Sequence, residues 1–339
     1  MRTARRYYYR HEQRSPTVVK ADKPFVFEIY RLNVIESEEL YLSFMGNSIR
    51  SDSDILRVLS RATESRFDQD SVSGRSTFRW SVREYSEYTD TVTSQMVSVT
   101  LGRSTLRQSG QTVTETKFEA ALTQMSPPSS ETIHIFFYIK RHLVIVEYSS
   151  AILATQVWRT SLHSILDRAA TSLELLPGIR LEPLPREEEI LTEFRSFDRL
   201  TRLRVRLRIP NPELDRRTEQ LRQEMLKSEI REYTQDMKNP NGLSKSEGSL
   251  PFATVAMAQA GYKDGEVIMV GVRGGRRAFV RTGNRAARGR VERLRDFIRE
   301  ISVTARTQET KIALNRILEE VDRVAELPAP PSESDASNT

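Results

Sequence analysis

The stretch from Leu200 to Ile209 reads Leu-Thr-Arg-Leu-Arg-Val-Arg-Leu-Arg-Ile, with Arg202, Arg204, Arg206 and Arg208 at every second position and Leu203, Val205, Leu207 and Ile209 between them. Such alternation is the period of a strand, whose successive side chains point to opposite faces. It predicts four guanidiniums in a row on one face and four apolar groups entering a core on the other. Arginine presents a planar, permanently charged fork that matches phosphate and carboxylate oxygens, and no acid lies between Arg199 and Arg208. The row either binds a line of phosphates, the favoured reading, or pairs with carboxylates on neighbouring strands.

A second basic feature follows. Lys263 to Arg299 holds eleven basic and four acidic residues, a balance of +7 against +6 for the whole 339-residue chain. The rest of the protein is therefore almost neutral. Glu266–Val272, the turn Arg273-Gly-Gly-Arg276 and Arg277–Arg281 read as a β-hairpin whose glycines supply positive φ. Arg273, Arg276, Arg277 and Arg281 lie on the hairpin, and Arg285, Arg288 and Arg290 on the flexible loop expected after it. Such a polycation can neutralise several phosphates and gain affinity by counterion release, with the amides of Gly271, Gly274 and Gly275 as further donors. The alternative is a basic surface that meets the acidic helix around Glu187, Glu188 and Glu189, or a protein partner. The basic residues are 43 Arg against 9 Lys, a bias that favours bidentate and stacking contacts, although genomic base composition produces the same bias. Tyr7, Tyr8 and Tyr9 stand among leader arginines as stacking candidates, whereas Phe279 is expected in the core.

The chain divides by composition and period. Residues 1–23 form a basic leader and 24–150 a β-rich domain of five or six strands, with a short helix near 51–60 and a turn at Lys140-Arg-His142. Residues 151–177 change to helical spacing and form a joining helix. Residues 178–290 are expected as an α+β second domain containing a strand at 179–184, a helix at 186–197, the arginine strand, a helix from Glu213 to about Tyr233, a helix at 250–262 and the hairpin. C-terminal helices occupy 291–326 and a disordered tail 327–339. The fold class is α+β.

Several chemistries lack support. With no cysteine, disulfides, thiol catalysis and cysteine-ligated zinc are excluded. None of the four histidines has metal-ligand spacing, and no phosphate loop, nucleophile elbow or dinucleotide fingerprint is present. No cofactor, metal or catalytic residue is assigned. Glu309-Thr-Lys311 has the spacing of some nuclease sites but falls in an apparent helix without a preceding strand. Mean hydropathy is -0.51 and no window approaches the ~20 apolar residues of a spanning helix. No membrane insertion is expected, and without a secretory signal the expected location is cytoplasmic.

The order of these features, with the hairpin strand His142-Leu-Val-Ile-Val-Glu-Tyr148, Ile179-Arg-Leu-Glu-Pro-Leu184 and a strand entering Pro210-Asn-Pro212, resembles an uncharacterised bacterial family associated with phage defence. More distantly it is similar to the prophage exclusion protein RexA. The resemblance implies a cytosolic, dimeric DNA-binding protein that senses phage replication and acts through an effector protein. The longer leader and the arginine-rich hairpin depart from that picture, and no site residue transfers by motif. The expected function is sequence-independent binding of nucleic acid, double-stranded DNA in particular, without catalysis. Docking of an acidic protein partner or self-assembly is the alternative, and a metal-dependent nuclease the third.

Overall fold

The computed structural model describes residues 23–34, 52–73, 76–88, 96–175, 178–186, 189–208, 227–228, 232–300 and 308–325. Nearly all of the expected leader, the tail, most of the expected helix from Glu213 and the side chain of Arg208 lie outside the described residues.

The fold is α+β, built on two antiparallel sheets. The larger runs β12 (Arg288–Val291), β1 (Phe25–Val34), β6 (Leu143–Glu147), β5 (Phe118–Tyr138), β4 (Met96–Val113), β3 (Ser76–Tyr88) and β2 (Gln69–Ser73), and β7 (Ile179–Pro183) also pairs with β1. Its central strands are apolar on both faces because both are covered. Val144 and Val146 of β6 join a cluster with Ile55, Val58 and Leu59 of α1 (Asp52–Arg61) and Trp158, Leu162 and Ile165 of α3 (Val157–Thr171). Leu143 and Ile145 point the other way, to Ile298 of α6 (Arg295–Glu300) and Leu314, Ile317 and Val321 of α7 (Gln308–Ala325).

The smaller sheet runs β11 (Arg276–Thr282), β10 (Val267–Arg273), β8 (Arg199–Arg208) and β9 (Glu232–Lys238). Leu203, Val205 and Leu207 enter its core with Met269, against Ile190 and Phe194 of α4 (Glu189–Arg195) and Phe252 and Val255 of α5 (Leu250–Gln259). The α5 helix starts where the Ser249 hydroxyl accepts the Phe252 amide at 3.4 Å and Pro251 occupies the first turn.

The structure departs from expectation in four places. The joining helix is broken into α2 (Ser150–Leu153) and α3, where the Thr155 hydroxyl accepts the Val157 amide at 3.4 Å. Residues 232–238, the first two of them expected to end a helix, are strand β9, with Gln235 turned inward and Thr234, Asp236 and Lys238 outward. The expected flexible loop after the hairpin is a strap anchored by Ala286 and Ala287, which are at most 8% exposed between exposed Arg285 and Arg288, and β12 follows at the edge of the first sheet. Finally, β7 pairs with Tyr30–Val34 and β12 with Phe25–Glu28, end to end along one edge of β1. Both therefore belong to the first sheet, and the expected boundaries at 178 and 290 lie outside the second sheet rather than at its margins. Among the described residues, no helix is long and apolar enough to cross a membrane.

Candidate functional site

One face of the second sheet carries the two helices, and the other is uncovered among the described residues. Alternation places Arg202, Arg204 and Arg206 of β8 on that uncovered face, with Arg208 at the end of the same strand. The register aligns rows across it. Phe279, Val270, Arg202 and Lys238 form one row, and Arg281, Ile268, Arg204 and Asp236 the next, with Arg277 opposite Val272 beyond them. A basic strand, an apolar strand and an arginine strand thus lie side by side, each about 4.8 Å from the next.

Acidic neighbours occupy part of this charge. Arg202 donates to both Asp236 oxygens, at 2.7 and 2.8 Å, and Lys238 lies 3.3 Å from the same carboxylate. The hydrogen bond from Arg202 pulls the Asp236 carboxyl down to about 2. Arg206 pairs with Asp264 at 3.1 Å, and Arg281 stands 3.8 Å from Glu266. The reading in which the arginines pair with carboxylates therefore holds for Arg202 and Arg206. Arg204 and Arg277 have no ion pair among the described residues. Six basic side chains (Arg202, Arg204, Arg206, Arg277, Arg281, Lys238) share the face with Asp236, Asp264 and Glu266. Exposed pairs of this kind add little stability and exchange readily for another anion.

The remaining expected site residues go elsewhere. Arg273 pairs with Glu193 at 2.7 Å at the hairpin end, and Arg276 is exposed beside it. The turn needs its glycines, at φ +56° for Gly274 and +73° for Gly275, but the Gly275 amide donates to Asp198 at 3.1 Å, so a carboxylate already occupies that donor. Gly271 is a ladder residue of β10. Arg285 is exposed on the strap. Arg288 pairs with Glu28 at 2.9 Å and lies 4.0 Å over the Tyr148 ring, and Arg290 pairs with Glu292 at 2.6 Å; both belong to β12 of the first sheet. Lys263, counted with the basic run, is 0% exposed, and its ammonium donates to the Gly265 carbonyl at 3.1 Å.

Burial pushes the Lys263 ammonium down to about 8. Folding is thus expected to release a proton between about pH 8 and the ordinary lysine value. The stabilising contribution is fully present above that value and is lost as pH falls through 8. The urea midpoint should therefore rise from pH 8 to 10, and Lys263→Met should flatten that rise; an unchanged slope in the variant would refute the assignment. The window closes at 10 because buried Tyr30, raised by desolvation and by Glu28, contributes with opposite sign above it.

Phe279, expected in the core, is 58% exposed. The signal was its phase: it shares parity with Arg277 and Arg281, while Ala278 and Val280 face inward. The described histidines have structural partners or positions. His134 meets Glu147 at 3.2 Å, His163 accepts the Leu181 amide at 2.9 Å, and His142 is buried at φ +48°. Among the described residues, no group of three or more histidines and carboxylates is arranged to hold a metal. Glu309 and Lys311 lie at the start of α7.

A family model described as a domain of unknown function, DUF4747, matches residues 103–282, from within β4 to the end of β11. No curated protein matches the chain.

Proposed function

The chain belongs to the DUF4747 family, and for this member we propose nucleic-acid binding without catalysis, through the uncovered face of the second sheet. The observation that carries this reading is the juxtaposition of two basic strands, β8 and β11, on one exposed surface. Contacts from guanidiniums to phosphates are indifferent to base identity, so binding is sequence-independent and steeply dependent on salt. The resemblance to phage-defence proteins supports a cytoplasmic sensor or regulator, acting as a homodimer with an effector protein. Docking of an acidic protein on the same arginines is the second reading, favoured by the carboxylates that already pair with Arg202 and Arg206.

Fluorescence anisotropy with labelled duplex DNA, single-stranded DNA and RNA, at low and near-physiological salt, tests the proposal. Arg204→Glu combined with Arg206→Glu should weaken binding about tenfold or more, with an unchanged far-ultraviolet spectrum. Both side chains are exposed, so the fold does not depend on them. A wild-type protein that binds no nucleic acid at low salt would transfer the face to the acidic-partner reading.

A further inference from the structure

The uncovered face is not uniformly polar. Phe279 stands in mid-strand between Arg277 and Arg281, with the Arg281 guanidinium 5.3 Å from its ring centroid. Beside it, β10 turns Ile268, Val270 and Val272 to the same face, each half-buried, and beyond them lies the arginine row of β8. A large aromatic and three branched apolar side chains form a strip flanked on both sides by cations. The two cationic strands are about 10 Å apart; successive arginines are about 6.6 Å apart along β8, whereas Arg277 and Arg281 of β11 are about 13 Å apart with Phe279 between them.

The two forms of nucleic acid would use such a surface differently. A duplex keeps its bases stacked inside and offers its sugar-phosphate exterior, so phosphates laid over Ile268 and Val270 would lose hydration without gaining a donor. A single strand has free base faces. These can lie on an aromatic ring and an apolar strip while the phosphates reach arginines at the margins. We propose that this face takes single-stranded nucleic acid, with Phe279 as the platform on which a base stacks and Arg277 and Arg281 as its phosphate partners. The inference rests on the nucleic-acid reading above and replaces the duplex preference drawn from sequence with a single-strand one. Exposed Phe279 is what changes the preference, because arginine rows alone suit either form.

The test compares labelled oligouridine, oligothymidine and duplex DNA of equal length at near-physiological salt, against wild type, Phe279→Ala, Phe279→Tyr and Arg204→Glu. Single strands should bind at least about tenfold more tightly than duplex. Phe279→Ala should weaken single-strand binding by about tenfold to a hundredfold and leave duplex binding unchanged, while Phe279→Tyr retains it. The order of oligouridine and oligothymidine separates RNA from DNA as the source of the strand. If duplex binds as well as single strands, or if Phe279→Ala changes neither, the inference fails; loss in Arg204→Glu would then still uphold the backbone reading. If wild type binds none of the probes, the reading itself fails and the inference with it. Thermal midpoints of all variants should match wild type, since each altered side chain is exposed.

Discussion

Gly271→Ala is expected to dismantle the second sheet. A Cβ at Gly271 would lie 2.2 Å from the Arg199 carbonyl oxygen, 2.9 Å from Leu200 Cα and 2.9 Å from the Phe197 ring. Two of these neighbours are backbone, so no side-chain rotation relieves the overlap. The β8–β10 register already shifts between Val270 and Gly271, which places the glycine where the strands approach most closely. Overpacking a core costs about 1–3 kcal/mol when side chains can adjust; against a backbone we expect about 3 kcal/mol or more. Hydrogen exchange should show lost protection at Leu203, Val205 and Met269 while Val144 and Ile145 remain protected. Wild-type exchange throughout would show that the sheet tolerates the methyl group. The same variant should lose binding on the uncovered face, although Gly271 itself is buried.

The second large effect is expected at Glu147, the last residue of β6 and 1% exposed. Its carboxylate accepts from the His134 amide at 3.1 Å and faces the His134 ring at 3.2 Å. It also accepts from Arg295 at 3.4 Å and from Arg299 at 3.0 Å. Burial alone would raise the carboxyl, but the bonds from His134 and the nearby Arg299 outweigh it and hold the group below the ordinary value. Removing the carboxylate leaves the His134 amide without its acceptor and takes the buried counter-charge from Arg295 and Arg299, whose side chains are 32% and 44% exposed. Glu147→Ala should therefore cost about 3 kcal/mol and loosen α6 and α7, seen as early proteolysis near Arg295. Glu147→Gln, which keeps an acceptor, should cost less. Because the folded carboxyl is depressed, its stabilisation is present above the ordinary glutamate value and is lost as pH falls through the folded one. Wild type and Glu147→Ala should accordingly converge in stability in acid; a gap that persists there would argue against a charge effect.

Locally encoded features were legible in the sequence. The alternation at Leu200–Ile209, the Gly274-Gly275 turn and the strand at Phe25 each declare themselves within ten residues. Features set by distant partners were not. Four residues of β12 become a strand only because β1 offers an open edge, and β9 is too polar for its period of two to declare a strand, its first two residues falling in an expected helix. Lys263 looked like one more surface cation, since nothing beside it in sequence reveals that Leu207 pairs with it or that Gly283 lies on its side chain. Phe279 was the opposite case. Its parity with two arginines pointed outward, and the general tendency of hairpin phenylalanines to be buried obscured that. The site was thus half-visible: the arginine strand could be read, but not the face that β10 and β11 complete.

The strap has a consequence for how such a chain can change over generations. The Ala287 amide donates to the Leu184 carbonyl at 2.7 Å, and the Ile29 backbone binds both residues at 3.0 Å. The chain therefore leaves the first sheet and returns to it at a single point on β1. Everything between those residues is an excursion from one socket, and its length and content can vary while the edge of the first sheet stays paired. The family model runs through this excursion to Thr282, so variation is expected in its loops rather than in its strands. Among the described residues, contacts near the socket also hold the excursion to the first sheet, among them Arg31, which lies 4.8 Å over the Tyr262 ring and donates to the Ala260 carbonyl at 3.0 Å.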